Sequence, residues 1–376
     1  MANLATTFDY NKELRGFYAR VYAHLAKKFS AKTLNSDEIF EVINNSSDVH
    51  SLLQDYTIIH SPLDFQRQIY FGIRPFNYDC EEKDFDKFSF MNTGTSILEE
   101  ELNSTLFAVN LSHKKNNFDL YTTPGYKQYD ITDKIHAAHI LENLGIPIPI
   151  SYNNSIFDLS FNHQQYLAKP RKGSLQQGIK LLTKELSQCI KSLKEILNSS
   201  YLIQERVNIP TTFPSYIRVN VDFGEITGAA LLYTFDGNII PKRDTQKVIL
   251  LNHDDNYFFQ RLNQREKEIL EIYELKHRTL PKELINYSKR IAQYCSSIGL
   301  QSIGIDYILD ATIGKYVCTC DINRFPGMRK IMFEQYKALG HFDTDYCLFL
   351  DKQFEDLAIK YRAELMLEPF EKFLTE

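Results

Sequence analysis

The chain has 376 residues, of which 43% are hydrophobic, so it can bury the cores of two or three domains or subdomains. Its formal net charge of −5 argues against a surface that binds nucleic acid. Residues 1–20 contain no apolar signal segment, and no apolar run reaches the roughly 18 residues of a membrane helix, so we expect a cytoplasmic protein without a membrane partner. The six cysteines lack a paired spacing, which argues against a disulfide framework or a zinc site.

The first 120 residues are rich in Tyr and Phe and carry no functional motif of their own. The apolar spacing over residues 14–29 predicts a helix, and residues 56–59 and 106–109 have the composition of strands. This region holds 12 Lys and Arg residues against 17 Asp and Glu residues. A heavily phosphorylated ligand is therefore not expected there.

A helix with a basic first turn is predicted to begin shortly after residue 131. Thr132 is placed to cap this helix, and Gly145 is placed to end it. Lys134 would lie in the first turn, where a cation opposes the helix dipole. An anionic ligand beside Lys134 would remove this conflict.

Residues 166–182 predict a strand, a polar loop bounded by glycines, and a second strand. Gly173 and Gly178 allow backbone N–H groups of the loop to turn towards phosphate oxygens. Lys169 precedes the loop and could add a positive charge to the same phosphates. The alternative is an ordinary hairpin with a glycine loop and a solvated lysine, because the Walker A signature of a P-loop is missing.

Residues 201–207 predict an apolar strand that ends in Gln204 and Glu205. A carboxylate and a backbone edge at the end of a strand can accept from and donate to an adenine ring. The alternative for Glu205 taken alone is a solvated side chain at a strand terminus.

Two later strands carry the most informative polar pattern. Residues 304–308 contain Asp306, and residues 317–323 contain Asp321 and Asn323 just before a Pro-Gly turn. Because side chains alternate along a strand, Asp321 and Asn323 share one face. Carboxylate and amide oxygens suit Mg²⁺, which fills its other positions with phosphate oxygens and water. Turn chemistry, with Asp and Asn bonding their own backbone, is an equally weighted alternative for this stretch alone.

The order of these motifs resembles the ATP-grasp enzymes over roughly residues 121–330. The matching segments are, in chain order, Asp133-Lys134, Gly145-Ile146-Pro147-Ile148-Pro149, Lys169-Pro170, the glycine loop 173–178, Gln204-Glu205, Arg218, Gly304-Ile305-Asp306 and Asp321-Ile322-Asn323-Arg324-Phe325-Pro326-Gly327. Each segment is weak alone, and their shared order makes the resemblance specific.

The resemblance implies an α+β chain with the ATP-grasp fold, in which two subdomains clasp ATP, preceded by an α/β N-terminal domain. The implied boundaries are 1–120 for the N-terminal domain, 121–205 for the central subdomain with the glycine loop, 206–335 for the subdomain with the metal site, and 336–376 for a C-terminal helical segment. Residues 252–276 are polar and charged, and the sequence predicts no helix or strand for them. They are expected to cover the site.

The resemblance also implies the cofactors and the residues that bind them. The residues that it places on ATP are Lys134, Lys169, Gly173, Ser174, Gly178, Gln204, Glu205 and the backbone of Val207. The residues that it places on Mg²⁺, with Mn²⁺ as a substitute, are Asp306, Asp321 and Asn323.

Within the family, the Gly-Ile-Asp step resembles the glutamate ligases that extend a ribosomal protein. This branch implies an ATP-dependent carboxylate–amine ligase that forms an amide through an acyl phosphate and releases ADP and phosphate. Arg218, Arg243 and Arg324 are the candidates for the arginine that stabilises the acyl phosphate, and each has a surface salt bridge as its alternative role. The implied partners are small-molecule or peptide carboxylates and amines, with a homodimer as one possible assembly.

Two other functions are compatible with the same motifs. The Asp-Ile-Asn-x-Phe-Pro-Gly motif also resembles that of the inositol phosphate kinases, which share the fold and phosphorylate a hydroxyl. The acidic N-terminal third argues against a heavily phosphorylated substrate and therefore favours ligation. The third hypothesis is a non-catalytic scaffold protein that retains the ATP-grasp fold. The presence of both lysines and all three metal donors argues against it.

Overall fold

The computed structural model describes residues 3–6, 17–33, 56–60, 90–92, 131, 133–153, 165–171, 179–182, 201–235, 246–253, 260–297, 301–324, 329–338 and 352–375. Within these ranges, helices accompany one parallel and two antiparallel sheets. The α+β class predicted from the sequence is confirmed. None of the helices in these ranges combines the length and apolar content needed to cross a bilayer.

The N-terminal sheet is parallel and has the strand order β2-β1-β3-β4. Its elements are β1 (Asn3–Thr6), α1 (Phe17–Lys28), β2 (Lys32–Thr33), β3 (Tyr56–His60) and β4 (Phe90–Asn92). A helix between parallel strands is the α/β arrangement predicted for this region. The helix predicted over 14–29 is confirmed for Phe17–Lys28, and the strand predicted over 56–59 is confirmed. The strand predicted over 106–109 lies outside the described residues.

A second, antiparallel sheet has the order β5-β8-β6-β7 and follows a helix. Its elements are α2 (Lys134–Asn143), β5 (Ser151–Asn153), β6 (Tyr166–Pro170), β7 (Lys180–Leu182) and β8 (Tyr201–Glu205). The end of α2 is as predicted, since Gly145 has a φ of 61°, a left-handed conformation that glycine adopts without a Cβ clash.

The third sheet is antiparallel, with the order β11-β10-β9-β12-β13. Its strands are β9 (Ser215–Asp222), β10 (Glu225–Tyr233), β11 (Lys247–Leu250), β12 (Ser302–Asp310) and β13 (Lys315–Arg324). The helices that accompany it are α3 (Gln264–Ile272), α4 (Lys282–Ser297), α5 (Arg329–Ala338) and α6 (Lys352–Thr375).

The side chains of strand β9 lie on two chemically different faces of this sheet. Ile217 and Val219 point into the largest hydrophobic core, which includes residues of α2 and α4. The intervening side chains Arg218, Asn220 and Asp222 therefore point to the opposite face. This alternation turns one face of β9 into a row of polar groups, and the candidate site uses the Arg218 end of that row.

Helix α3 was not expected from the sequence, because residues 252–276 carry many charges. Asn263 caps it by accepting from the backbone N–H of Glu266 at 2.9 Å, and the Glu266 side chain accepts from the Asn263 backbone N–H at 2.9 Å. This capping box is a local signal that the sequence contains. Only Ile269 and Leu270 of the helix are buried, so its apolar stripe is too narrow to reveal it by periodicity.

A fully buried ion pair fastens α6 to the large sheet. The guanidinium of Arg362 contacts the carboxylate of Asp222, and neither side chain is exposed. Arg362 Nη1 also donates to Thr227 Oγ1 at 3.1 Å. The other oxygen of Asp222 accepts from Ser302 Oγ at 2.7 Å, and Ser302 in turn lies 2.8 Å from the hydroxyl of Tyr22 in α1. Helices α1 and α6 and the strands β9, β10 and β12 thus share one polar network.

We predict that Arg362→Met lowers the free energy of unfolding by about 3–5 kcal/mol, because it leaves the Asp222 carboxylate buried without its counter-ion. Arg362→Met combined with Asp222→Asn should regain part of that loss. Lys372→Met removes an exposed salt bridge between α6 and Glu225, and it should lower the free energy of unfolding by at most about 1 kcal/mol. Urea unfolding followed by circular dichroism measures all three, and equal losses for Arg362→Met and Lys372→Met would contradict the prediction.

Candidate active site

The candidate site lies at a β-bulge between β12 and β13. Between Ile305 and Tyr307, a single residue of β12, Asp306, faces three residues of β13. Those three residues are Thr319, Cys320 and Asp321. Cys320 has a φ of 60°, an uncommon left-handed conformation for a residue with a Cβ. Bulges of this kind bend a strand and re-aim its side chains, and this one brings Asp321 beside Asp306.

Asp306 is held by Arg218 from the neighbouring strand β9. Arg218 donates from Nε and Nη2 to the two carboxylate oxygens of Asp306, both at 2.7 Å. The side chains are only 15% and 12% exposed, respectively. Burial raises the pKa of Asp306 and the Arg218 charge opposes that rise. Burial acts to lower the pKa of Arg218, yet the Asp306 carboxylate outweighs it and the pKa lies above its ordinary value, so the guanidinium stays charged.

Lys134 reaches the bulge from the first turn of α2, where the sequence places it. Its Nζ lies 3.1 Å from Oδ1 of Asp321, and the two side chains are 6% and 33% exposed. The sequence predicts an anionic ligand beside Lys134. The structure places the carboxylate of Asp321 there, and the ligand stays a prediction.

Asp133, not Thr132, caps α2, because the helix begins at Lys134 and the cap is the residue directly before it. Asp133 Oδ1 accepts from the backbone N–H of Ile135 at 3.0 Å. Arg171 donates from Nε to both carboxylate oxygens of Asp133, at 3.1 and 2.8 Å. The backbone N–H of Lys134 donates to the Arg171 carbonyl at 3.0 Å. The start of α2 is therefore tied to the residue that follows β6.

Sequence reasoning missed the role of Arg171. The two partners of the Asp133–Arg171 pair are 38 residues apart, so no local pattern links them. The only signal was the Asp that precedes Lys134 in the ATP-grasp motif. The pair fixes Arg171, which precedes the predicted glycine loop in the sequence, relative to the start of α2.

Two side chains of the small sheet contact the bulge from β6 and β8. Lys169 Nζ donates to the carbonyl oxygen of Thr319 at 3.1 Å, and the residue is 7% exposed. Gln204 Nε2 donates to Cys320 Sγ at 3.3 Å and to Ser151 Oγ at 2.9 Å. The buried Oε1 of Gln204 has no hydrogen-bond partner among the described residues. Buried acceptors are normally paired, so this oxygen suits a ligand that donates a hydrogen bond.

The remaining predicted nucleotide residues are only partly placed. Glu205 ends β8, and its backbone N–H donates to the Ile150 carbonyl at 2.9 Å. Val207 follows two residues later and is partly exposed. The loop residues fall outside the described ranges; they are Gly173, Ser174 and Gly178. Their contacts with a nucleotide stay predictions.

The other two candidate arginines are not brought to the bulge by described contacts. Arg324 is the last residue of β13, and only its backbone is described. Arg243 lies outside the described residues. Arg218 is thus the candidate arginine whose side chain the structure places at the carboxylate pair.

Asn323 lies two residues beyond Asp321 on β13. Its Nδ2 donates to the carbonyl oxygen of Asp321 at 3.5 Å, a local bond that the turn-chemistry alternative also predicts. The Oδ1 atom remains able to accept from a donor or bind a cation. A metal role for Asn323 therefore stays a prediction.

The predicted metal donors consist of two carboxylates and one amide. Within the described ranges, no group of three His, Cys, Asp or Glu side chains could hold a metal ion. The set nevertheless fits Mg²⁺ in donor chemistry, because this ion accepts one or two carboxylates and completes its shell with phosphate oxygens and water. Each carboxylate already contacts a cation, but its oxygens have further lone pairs.

Comparisons with known proteins return structural similarity alone. No family model matches the chain, and no curated protein matches it. The ATP-grasp ligase PsnB, in complex with a phosphomimetic variant of its minimal precursor, Mg and ADP, aligns with 96% of this chain and 99% of its own, at 12% identity and a TM-score of 0.46. The macrocyclase MdnC of Microcystis aeruginosa MRC, bound with precursor peptide MdnA, aligns with 97% of this chain and 98% of its own, at 13% identity and a TM-score of 0.44.

D-alanyl-alanine synthetase A of Vibrio cholerae O1 biovar eltor aligns with 73% of this chain and 76% of its own, at 14% identity and a TM-score of 0.39. All three overlaps are loose.

We predict that Asp133→Ala lowers the free energy of unfolding more than Asp133→Asn does, by about 0.5–2 kcal/mol. Both variants lose the charge that faces Arg171, but Asn keeps an oxygen that can cap α2. Thermal unfolding of the two variants measures the difference. Identical melting temperatures would show that the cap contributes nothing and that the Arg171 contact accounts for the whole effect.

Proposed function

We propose that the chain is an ATP-dependent carboxylate–amine ligase, which forms an amide through an acyl phosphate and releases ADP and phosphate. The observation that carries the proposal is the convergence of Lys134, Lys169 and Arg218 on the bulge that bears Asp306 and Asp321. These groups come from helix α2, the small sheet and the large sheet, so all three elements would hold a ligand at the bulge.

The two lysines would bind the phosphates of ATP. Both ammonium groups are nearly buried, where attraction to an anion is stronger than in bulk water. Their described contacts are with oxygen atoms of the bulge, Asp321 Oδ1 for Lys134 and the Thr319 carbonyl for Lys169. A flexible lysine stem lets each ammonium turn from that oxygen to a phosphate without moving the backbone.

Arg218 would stabilise the negative charge that develops on the acyl phosphate and on the tetrahedral oxyanion. It is fixed by two hydrogen bonds to Asp306, so it needs little rearrangement when that charge appears. Its remaining N–H donors are left for the substrate. Arg243 and Arg324 remain proposed for the same role.

Asp306, Asp321 and Asn323 would hold Mg²⁺, with Mn²⁺ as a substitute. When bound, the ion would offset phosphate charge and orient the transferred group. Gln204 would accept from the nucleotide through its unpaired Oε1, and the backbone at Glu205 and Val207 would complete the base site. The loop that bears Gly173, Ser174 and Gly178 would cover the phosphates and keep water from the acyl phosphate.

The decisive experiment measures ADP release from ATP with pairs of carboxylates and amines, followed by mass spectrometry of the products. The panel contains amino acids, short peptides and peptides with Asp and Glu side chains. A product with the mass of both partners minus one water, formed only when both are present, is expected. A phosphorylated hydroxyl formed without an amine would overturn ligation in favour of a kinase.

A scaffold without turnover is tested with the same assay. Asp321→Ala combined with Asn323→Ala should abolish ADP release from the active protein. If the unmodified protein releases no ADP with any pair and the double variant binds ATP equally well, the proposed enzyme does not exist in this chain.

We predict that Lys169→Met lowers kcat/KM for ATP by about 100-fold, because the phosphates lose a preorganised positive charge. Lys180→Met is the matched control, since Lys180 lies on the adjacent strand β7 and its Nζ atom lies 5.7 Å from the Tyr201 ring centre. It should retain nearly full activity. Initial rates at varied ATP measure both variants, and equal losses would mean that position 169 matters only for the stability of the sheet.

A further inference from the structure

The two carboxylates of the proposed metal set differ in how their cations hold them. Arg218 grips Asp306 through two hydrogen bonds at 2.7 Å, and both side chains are largely buried. The Nζ atom of Lys134 lies 3.1 Å from Oδ1 of Asp321, and one third of the Asp321 side chain is exposed. The second contact is therefore the one that a ligand can exchange.

The described charged side chains that contact the bulge are more positive than negative. Lys134, Lys169 and Arg218 supply three positive charges, whereas Asp306 and Asp321 supply two negative ones. A divalent cation that approaches alone meets this excess and must also displace Lys134 from Asp321. A polyphosphate reverses both conditions, because it brings negative charge and offers Lys134 stronger acceptors.

We propose that Lys134 is the internal counter-ion of Asp321, and that it blocks divalent cations from this carboxylate until a nucleotide polyphosphate draws it away. The backbone of Lys134 stays in place during the exchange, since its N–H donates to Arg171 and the preceding residue, Asp133, is fixed as the helix cap. Only the side chain turns. This inference rests on the proposed nucleotide and metal site and defines how the two ligands depend on each other.

The mechanism predicts opposite effects of one substitution on two ligands. Without Lys134, Asp321 loses the cation described in contact with it, so the protein alone should bind a divalent cation more tightly. Without Lys134, the phosphates lose a cation, so metal-free ATP should bind more weakly. A residue with a purely structural role would weaken both ligands together.

The test compares Lys134→Met with the unmodified protein. Electron paramagnetic resonance of Mn²⁺ measures cation binding without nucleotide, and calorimetry in EDTA measures metal-free ATP binding. We expect Mn²⁺ to bind about tenfold more tightly, a difference of about 1.4 kcal/mol, and ATP about tenfold more weakly. Lys289→Met is the control, because it removes a surface lysine that lies 3.8 Å from Glu225, and it should change neither value.

The outcomes separate this inference from the proposed function. Unchanged or weaker Mn²⁺ binding by Lys134→Met, with ATP binding reduced, would overturn the counter-ion role and leave the nucleotide site intact. Tighter Mn²⁺ binding that persists in Lys134→Met with Asp321→Asn would also overturn it, because the gain would not involve Asp321. If ATP binds neither the unmodified protein nor the variants, the proposed function fails and this inference fails with it.

Discussion

The arrangement of the candidate site depends on the bulge in β13. Its three residues present three different groups to the small sheet and α2: the Thr319 carbonyl to Lys169, the Cys320 sulfur to Gln204 and the Asp321 carboxylate to Lys134. In a regular strand successive side chains alternate by face, and the chain could not present these groups side by side. The left-handed Cys320 costs of order 1 kcal/mol or more, so the surrounding contacts must over-determine it.

Much of this arrangement is contained in short sequence patterns. Lys134, Lys169, Asp306 and Asp321 were predicted from helix and strand chemistry and from the order of the ATP-grasp motifs, and the structure brings all four to one bulge. Their roles towards ATP and metal are proposals. The predictable part is local, because periodicity, capping residues and glycine positions act within a few residues of one another.

The parts that the sequence did not reveal are long-range or conformational. Arg171 and Asp133 are 38 residues apart, and Arg362 and Asp222 are 140 apart, so only the folded chain shows that they pair. The φ of Cys320 cannot be foreseen, because a cysteine has no preference for the left-handed region. Helix α3 was missed for a different reason, since most of its faces are solvated and its cap was the one local signal.

Strand β9 shows how the fold prepares the site for chemistry. Arg218 and Asp222 lie on one face of this strand, and each forms an ion pair with a group from another element, Asp306 on β12 and Arg362 on α6. The strand is thus anchored at two points by buried charges, each of which would be costly to leave alone. A catalytic arginine gains from such anchoring, because preorganised charge stabilises a transition state without reorganisation during the reaction. Lys134 is the contrasting case, because the carboxylate that it contacts, Asp321, is one third exposed and a lysine stem is flexible. In the proposed function, Arg218 is the cation held rigidly for the developing charge, and Lys134 is the cation that changes partners when a nucleotide binds.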